Sequence, residues 1–390
     1  MQLSFFRRNS HLIAYYFTLA LFIGGSFLTE SRAWGVNIWG YLDMVVLFVL
    51  VGIGLVAPFV LRLFFKKTEM GSAEDSAAGS IGMFLATVGS IGAIFIAAFF
   101  YLRGRTHFLG DGYQLLSQLA GDNPIPKARN LGESLLHIWM RSFIGGDPDS
   151  AAYFSYAVLS ILAGVVVLLG AAWSAKVLYR QNADRILFFL TVITGGYMLL
   201  FFGYVENYSI FVASVVLYCL VGLAIINRSV PRWVALPLLV LSVFLHVFGM
   251  VLVPSAIYLL SFDTRIGKRL SALSTTWKCM SIGALVLGAG AVFAYLYTTS
   301  YFFRFSFVPV LADRFTTEGY TLFSPKHLAD LFNFLILLFP GLLLLAVLLI
   351  KSAGQRIFKQ PRYRYLLVLL ISTVAAVSVF DPRLGMPRDW

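Results

Sequence analysis

Residues 81–102 read IGMFLATVGSIGAIFIAAFFYL, a run without one charged side chain. At about 1.5 Å of rise per residue, an α-helix of this length crosses the roughly 30 Å hydrocarbon core of a bilayer. The pattern recurs on both sides of it. Apolar runs near 12–29, 41–64, 151–177, 186–203, 208–226, 232–245, 247–261, 280–298, 328–350 and 364–379 bring the expected spans to eleven. The sequence therefore predicts an all-α, polytopic transmembrane helical bundle. Of its 390 residues 59% are apolar and 12% charged, where a soluble domain is nearer half and a quarter. That balance excludes a soluble enzyme, a disordered chain and a secreted disulfide scaffold. Cys219 and Cys279 both fall in or beside apolar runs, which argues against a pair. The run 12–28 follows Arg7 and Arg8 without a clean small-residue cleavage site, so it reads as an uncleaved first span.

The net charge of +12 has to be sorted by side of the membrane. With the N-terminus inside, nineteen of the thirty Lys and Arg fall on the inner loops, and thirteen of the eighteen Asp and Glu fall outside. The basic bias matches the positive-inside rule and fixes the expected orientation. The short basic loops are accounted for by topology and anionic lipid, and nucleic acid is not an expected partner. The Gly, Ala and Ser in the 66–80 loop mark it as a linker, which divides residues 1–80, a two-helix addition, from a main body over 81–390.

The outer segments hold the polar chemistry. Residues 103–150 form the longest polar stretch, yet Tyr113, Leu115, Leu116 and Leu119, then Leu131, Leu135, Leu136, Ile138 and Trp139, recur at helical spacing. Two amphipathic helices at the interface, joined through Pro124 and Pro126, fit that pattern. Residues 299–326 lie on the same side and are rich in aromatics. The chain stops at Asp389-Trp390 directly after charged, Pro-rich residues, which predicts a missing C-terminal region.

Ionisable groups near membrane depth are functional candidates, because hydrocarbon makes them costly. Asp111 stands between Gly110 and Gly112, where it is either a presented carboxylate or a cap on the next helix. Glu206, in Gly203-Tyr204-Val205-Glu206-Asn207-Tyr208, tips one short hairpin, and His246, in Phe244-Leu245-His246, tips another. Either could serve a site or a local hydrogen bond. Ser324 is a candidate cap that would place Lys326 and His327 at a helix N-terminus, where an anion is favoured. Asn333 and Pro340 read as internal polar and kinking features. In the expected topology Asp111, Glu206, His246, His327 and Asp381 all face outward.

The order of these pieces resembles the GT-C class of integral-membrane glycosyltransferases, which includes protein O-mannosyltransferases and the lipid A aminoarabinose transferase. The resemblance rests on Gly110-Asp111-Gly112, Gly203 to Tyr208, Phe244-Leu245-His246 and Lys326-His327-Leu328, and it covers residues 81 to 380. Two features depart from it: many relatives have adjacent acids in the first outer loop and a soluble C-terminal domain. The resemblance implies a polyprenyl-phosphate-linked sugar as donor and a lipid, glycan or protein acceptor. It also implies inverting transfer on the extracytoplasmic face of a bacterial inner membrane. Asp111 would be the base and Glu206 a second carboxylate. Arg105, Arg304, Lys326, His327 and His246 would bind the substrate's phosphate. No cofactor is implied with certainty. A divalent metal stays open, with Glu206 and His246 as its candidate holders. A transporter or flippase should instead show inverted repeats and charges at mid-span. A glycan ligase or polymerase is not separated from a monosaccharide transferase by these residues.

Overall fold

A computed structural model describes residues 2–71, 77–105, 112–265, 274–307, 311, 319–341, 344, 347 and 360–379. The structure is all-helical, with 79% of residues in helix and no strand among the described residues. The chain runs α1 (Gln2–Gly25), α2 (Met44–Gly71), α3 (Ala77–Tyr101), α4 (Gly112–Ala120), α5 (Leu131–Phe143), α6 (Pro148–Leu178) and α7 (Asn182–Ile193). It continues through α8 (Ser209–Ile226), α9 (Ala235–Leu245), α10 (Val253–Ser261), α11 (Thr275–Thr299), α12 (Tyr301–Phe307), α13 (Pro325–Leu338) and α14 (Pro361–Val379).

Among the described residues three helices are long and apolar enough to cross a membrane: Ile81–Tyr101, Pro148–Leu178 and Ser209–Ile226. Each coincides with an expected span. Some of the others are short or divided. The expected span 186–203 is α7 followed by a 3₁₀ helix, Gly196–Phe201, because Thr194, Gly195 and Gly196 are poor residues for continuing an α-helix. The 232–245 and 247–261 segments are 14 and 15 residues of apolar helix. Most of 339–350, the second half of another expected span, lies outside the described residues.

Helix α6 is the centre. Asp147 caps it, with Oδ2 accepting from Ser150 N at 3.0 Å, and Pro148 occupies the first turn. Its buried positions are mostly small, among them Ala151, Ala152, Ser155, Ala163, Gly164, Ala171 and Ala175. Small residues let neighbouring backbones approach closely where lipid gives no hydrophobic drive between helices. Helices α3, α4, α5, α7 and α8 all pack on it. A second core joins α8, α9 and α10 to α14 through Tyr218, Ile225, Ala235, Leu259, Tyr365 and Leu369.

The N-terminal pair is not a loose appendage. The loop after α1 is clamped to α13 by Asp330, which is 1% exposed. Arg32 Nε and Nη2 donate to its two oxygens at 3.0 and 2.6 Å, and Trp34 Nε1 donates at 3.1 Å. One turn on, Asn333 receives a bond from Gly35 N and donates to the Arg32 carbonyl.

Candidate functional site

One end of the bundle gathers polar side chains from five separate elements. Helix α5 supplies Glu133 and His137. Its buried residues are Gly132, Glu133 and His137, while Leu131, Leu135, Trp139 and Phe143 are exposed. This is the reverse of a helix on a soluble domain, and it is the expected arrangement where hydrocarbon is the solvent. The paired helices α4 and α5 expected from the sequence are both present, but the polar face of α5 is the one turned inward.

Glu133 is fully buried. Its Oε1 accepts from Phe211 N at 2.6 Å, so a carboxylate from α5 satisfies a free N–H in the first turn of α8. The other oxygen, Oε2, stands 3.5 Å from His137 Nε2. That oxygen and both His137 nitrogens have no hydrogen-bond partner among the described residues. The His137 ring stacks on Tyr156 at 3.9 Å, and the Tyr156 hydroxyl donates to Asn207 Oδ1 at 3.2 Å. His137, Tyr156 and Asn207 line a cavity of about 30 Å³, room for one water-sized group, with Gln118, Lys127 and Ser134.

The hairpin tips meet the same end. Gly203 has φ +66°, a left-handed conformation that glycine adopts freely, and a Cβ there would lie 2.9 Å from Arg103 Cβ. The turn it makes leads into Glu206, which is half-buried and accepts from Asn207 N at 3.1 Å. Burial, and then the charge of Glu206, push the Tyr204 phenol up to about 12. His246 is buried between Tyr208 and Phe211, with ring centroids at 5.3 and 5.2 Å. Its Nδ1 accepts from Phe248 N at 3.1 Å. His246 lies in the turn after α9, outside either apolar helix. Burial, with Arg129 adding to it, pushes its imidazole down to about 4.

The cationic candidates fall at different places. Arg105 is exposed at the end of the segment after α3, which is strapped down by Gly104 N donating to Phe202 O at 2.8 Å and by Tyr153 OH donating to Gly104 O at 3.0 Å. Its neighbour Arg103, which the sequence did not single out, is half-buried and leaves Nε without a partner. Arg304 sits on α12 with its Nε buried and likewise unpartnered. Lys326 is exposed in the first turn of α13. Ser324 does cap that helix, its Oγ accepting from His327 N at 3.2 Å. His327 is fully buried, however, and both ring nitrogens are engaged, with Tyr320 Oη at 3.1 Å and the Ser378 carbonyl at 2.9 Å. Tyr320 in turn donates to Asp330 at 3.0 Å. As placed, His327 braces the Arg32–Asp330 clamp and turns no free nitrogen toward a ligand. Asp111 and Asp381 lie outside the described residues.

Glu206 and His246 are brought to one end of the bundle, with Glu133, His137, Tyr156 and Asn207 beside them. Glu133 and His137 were missed in the sequence. The available signal was a Glu and a His four residues apart on a helix whose opposite face is greasy. Among the described residues no group of three or more His, Cys, Asp or Glu is placed to hold a metal ion. Comparison with protein families, with curated proteins and with solved structures gives no match for this chain.

Proposed function

We propose that the protein is a GT-C-like membrane glycosyltransferase. It would span the bacterial inner membrane about eleven times, with the N-terminus inside. It would move a sugar from a polyprenyl-phosphate donor to an acceptor on the extracytoplasmic face. The observation that carries this reading is the convergence of α5 with the tips bearing Glu206 and His246. Carboxylates, two imidazoles and a stacked Tyr are gathered there in an otherwise apolar bundle. Such groups are costly at membrane depth and are retained for chemistry.

In this reading the acceptor hydroxyl attacks the anomeric carbon as the bond from that carbon to the phosphate oxygen breaks. The configuration inverts, and the lipid phosphate departs as an anion. A carboxylate takes the acceptor's proton; Asp111 is assigned that role, and Glu206 orients the acceptor. Arg105, with Arg103 beside it, holds the phosphate. His246, neutral at pH 7, contributes shape and a ring nitrogen but no charge. The donor's lipid tail enters sideways through the apolar body.

The test is transfer of a labelled sugar from polyprenyl phosphate by the purified, lipid-reconstituted protein. Asp111→Asn and Glu206→Gln should each lower the rate at least 100-fold, the scale of a positioned acid or base. Transfer by Asp111→Asn at the wild-type rate removes Asp111 as the base. Absence of transfer by wild type from every polyprenyl-phosphate sugar overturns the reading.

A further inference from the structure

Between the N-terminal pair and the main body lies a second cavity, of about 610 Å³ and partly open. Its walls come from α1, α2, α3, the 3₁₀ helix after α7, and α13, with Phe22, Trp39, Ile53, Phe95, Leu199 and Ile336 among them. The walls are hydrocarbon, and the hydroxyls among them are already satisfied. Tyr15 OH donates to Gly54 O at 2.7 Å. Thr18 and Thr194 each return a bond to the carbonyl four residues back.

The chamber therefore offers water almost no partners, and apolar cavities of this kind stay dry. Left facing water or empty space, these walls would forfeit the contacts that hydrocarbon gives them. Helices from both sides hold it open all the same, while the Asp330 clamp fixes the N-terminal pair across it. The medium around such a chain is hydrocarbon at very high local concentration, so mass action favours what the bilayer itself supplies.

We propose that this cavity is a lipid site that holds an acyl chain of one bilayer phospholipid, which seals the N-terminal pair to the body. This cavity shares no lining residue with the one beside His137, and the inference does not rest on the transferase reading, because its readout is binding.

The experiment is native mass spectrometry of the full chain, extracted from membranes and purified in mild detergent. Wild type should retain one phospholipid per chain. Ala57→Phe, which fills the cavity from α2, should lower the retained fraction at least fivefold, as should Leu199→Trp from the opposite wall. Val46→Phe, at an exposed position on α2 outside the cavity lining, should retain it as wild type does. With two filling variants on different elements, misfolding of one leaves the other to decide. Full retention by a folded filling variant, no bound lipid in wild type, or an isoprenoid phosphate as the sole bound species each overturns the proposal.

Discussion

Glu133 joins two helices through one carboxylate, and its loss should be felt at both. Glu133→Ala would leave the Phe211 N–H buried without an acceptor, at a cost of about 1–3 kcal/mol. Thermal unfolding of the purified protein should show that loss, and Glu133→Gln, which keeps an acceptor oxygen, should recover part of it. His246 makes a pH prediction. Its imidazole is held near 4 in the fold against an ordinary 6.5. The unfolded chain thus gains a proton below about pH 6.5 that the folded chain refuses until about pH 4. Stability that is fully present above 6.5 should fall across that window, by up to about 3 kcal/mol at about 1.4 per unit of pH. His246→Asn should flatten this slope when unfolding is followed from pH 7 to pH 4.

At the scale of elements, the docking of α5 on the end of α9 depends on Gly132. A Cβ there would lie 2.8 Å from the Phe244 carbonyl and 2.9 Å from Leu245 Cα, both backbone atoms that cannot swing aside. Gly132→Ala should cost about 1–3 kcal/mol, read as an earlier midpoint in thermal unfolding. The α4–α5 pair and the Ser324 cap were legible in the sequence, because amphipathic spacing and a Ser before Pro are local signals. The inward face of α5 was not. Leu131, Leu135 and Trp139 fit an interfacial amphipathic helix whose polar face would meet water, and no local signal shows that Glu133 and His137 are instead covered by neighbouring helices. The Asp330 clamp was illegible for a different reason. Its partners lie 296 and 298 residues away, and no local pattern announces a pairing of that range. His327, read as an anion ligand from its place on a helix N-terminus, is occupied by that same network.

At the scale of the molecule, the proposed topology puts residues 103–150 outside and the Asn227–Arg232 loop inside. In a chain with Cys219 and Cys279 replaced by Ser, Asp122→Cys should react with a membrane-impermeant thiol reagent on intact cells. Ser229→Cys should react only after permeabilisation. Both positions are exposed, so access to the reagent depends on side alone. The reverse pattern would invert the orientation and move the polar end to the cytoplasm.

In the proposed function this polar end receives a lipid-linked sugar. A polyprenyl-phosphate sugar carrying a photoactivated diazirine on the sugar ring tests it most directly, with labelled peptides mapped by mass spectrometry. Labelling is expected within residues 112–143 and 203–208, competed by unlabelled donor. Labelling confined to other segments, or none that unlabelled donor suppresses, would contradict it.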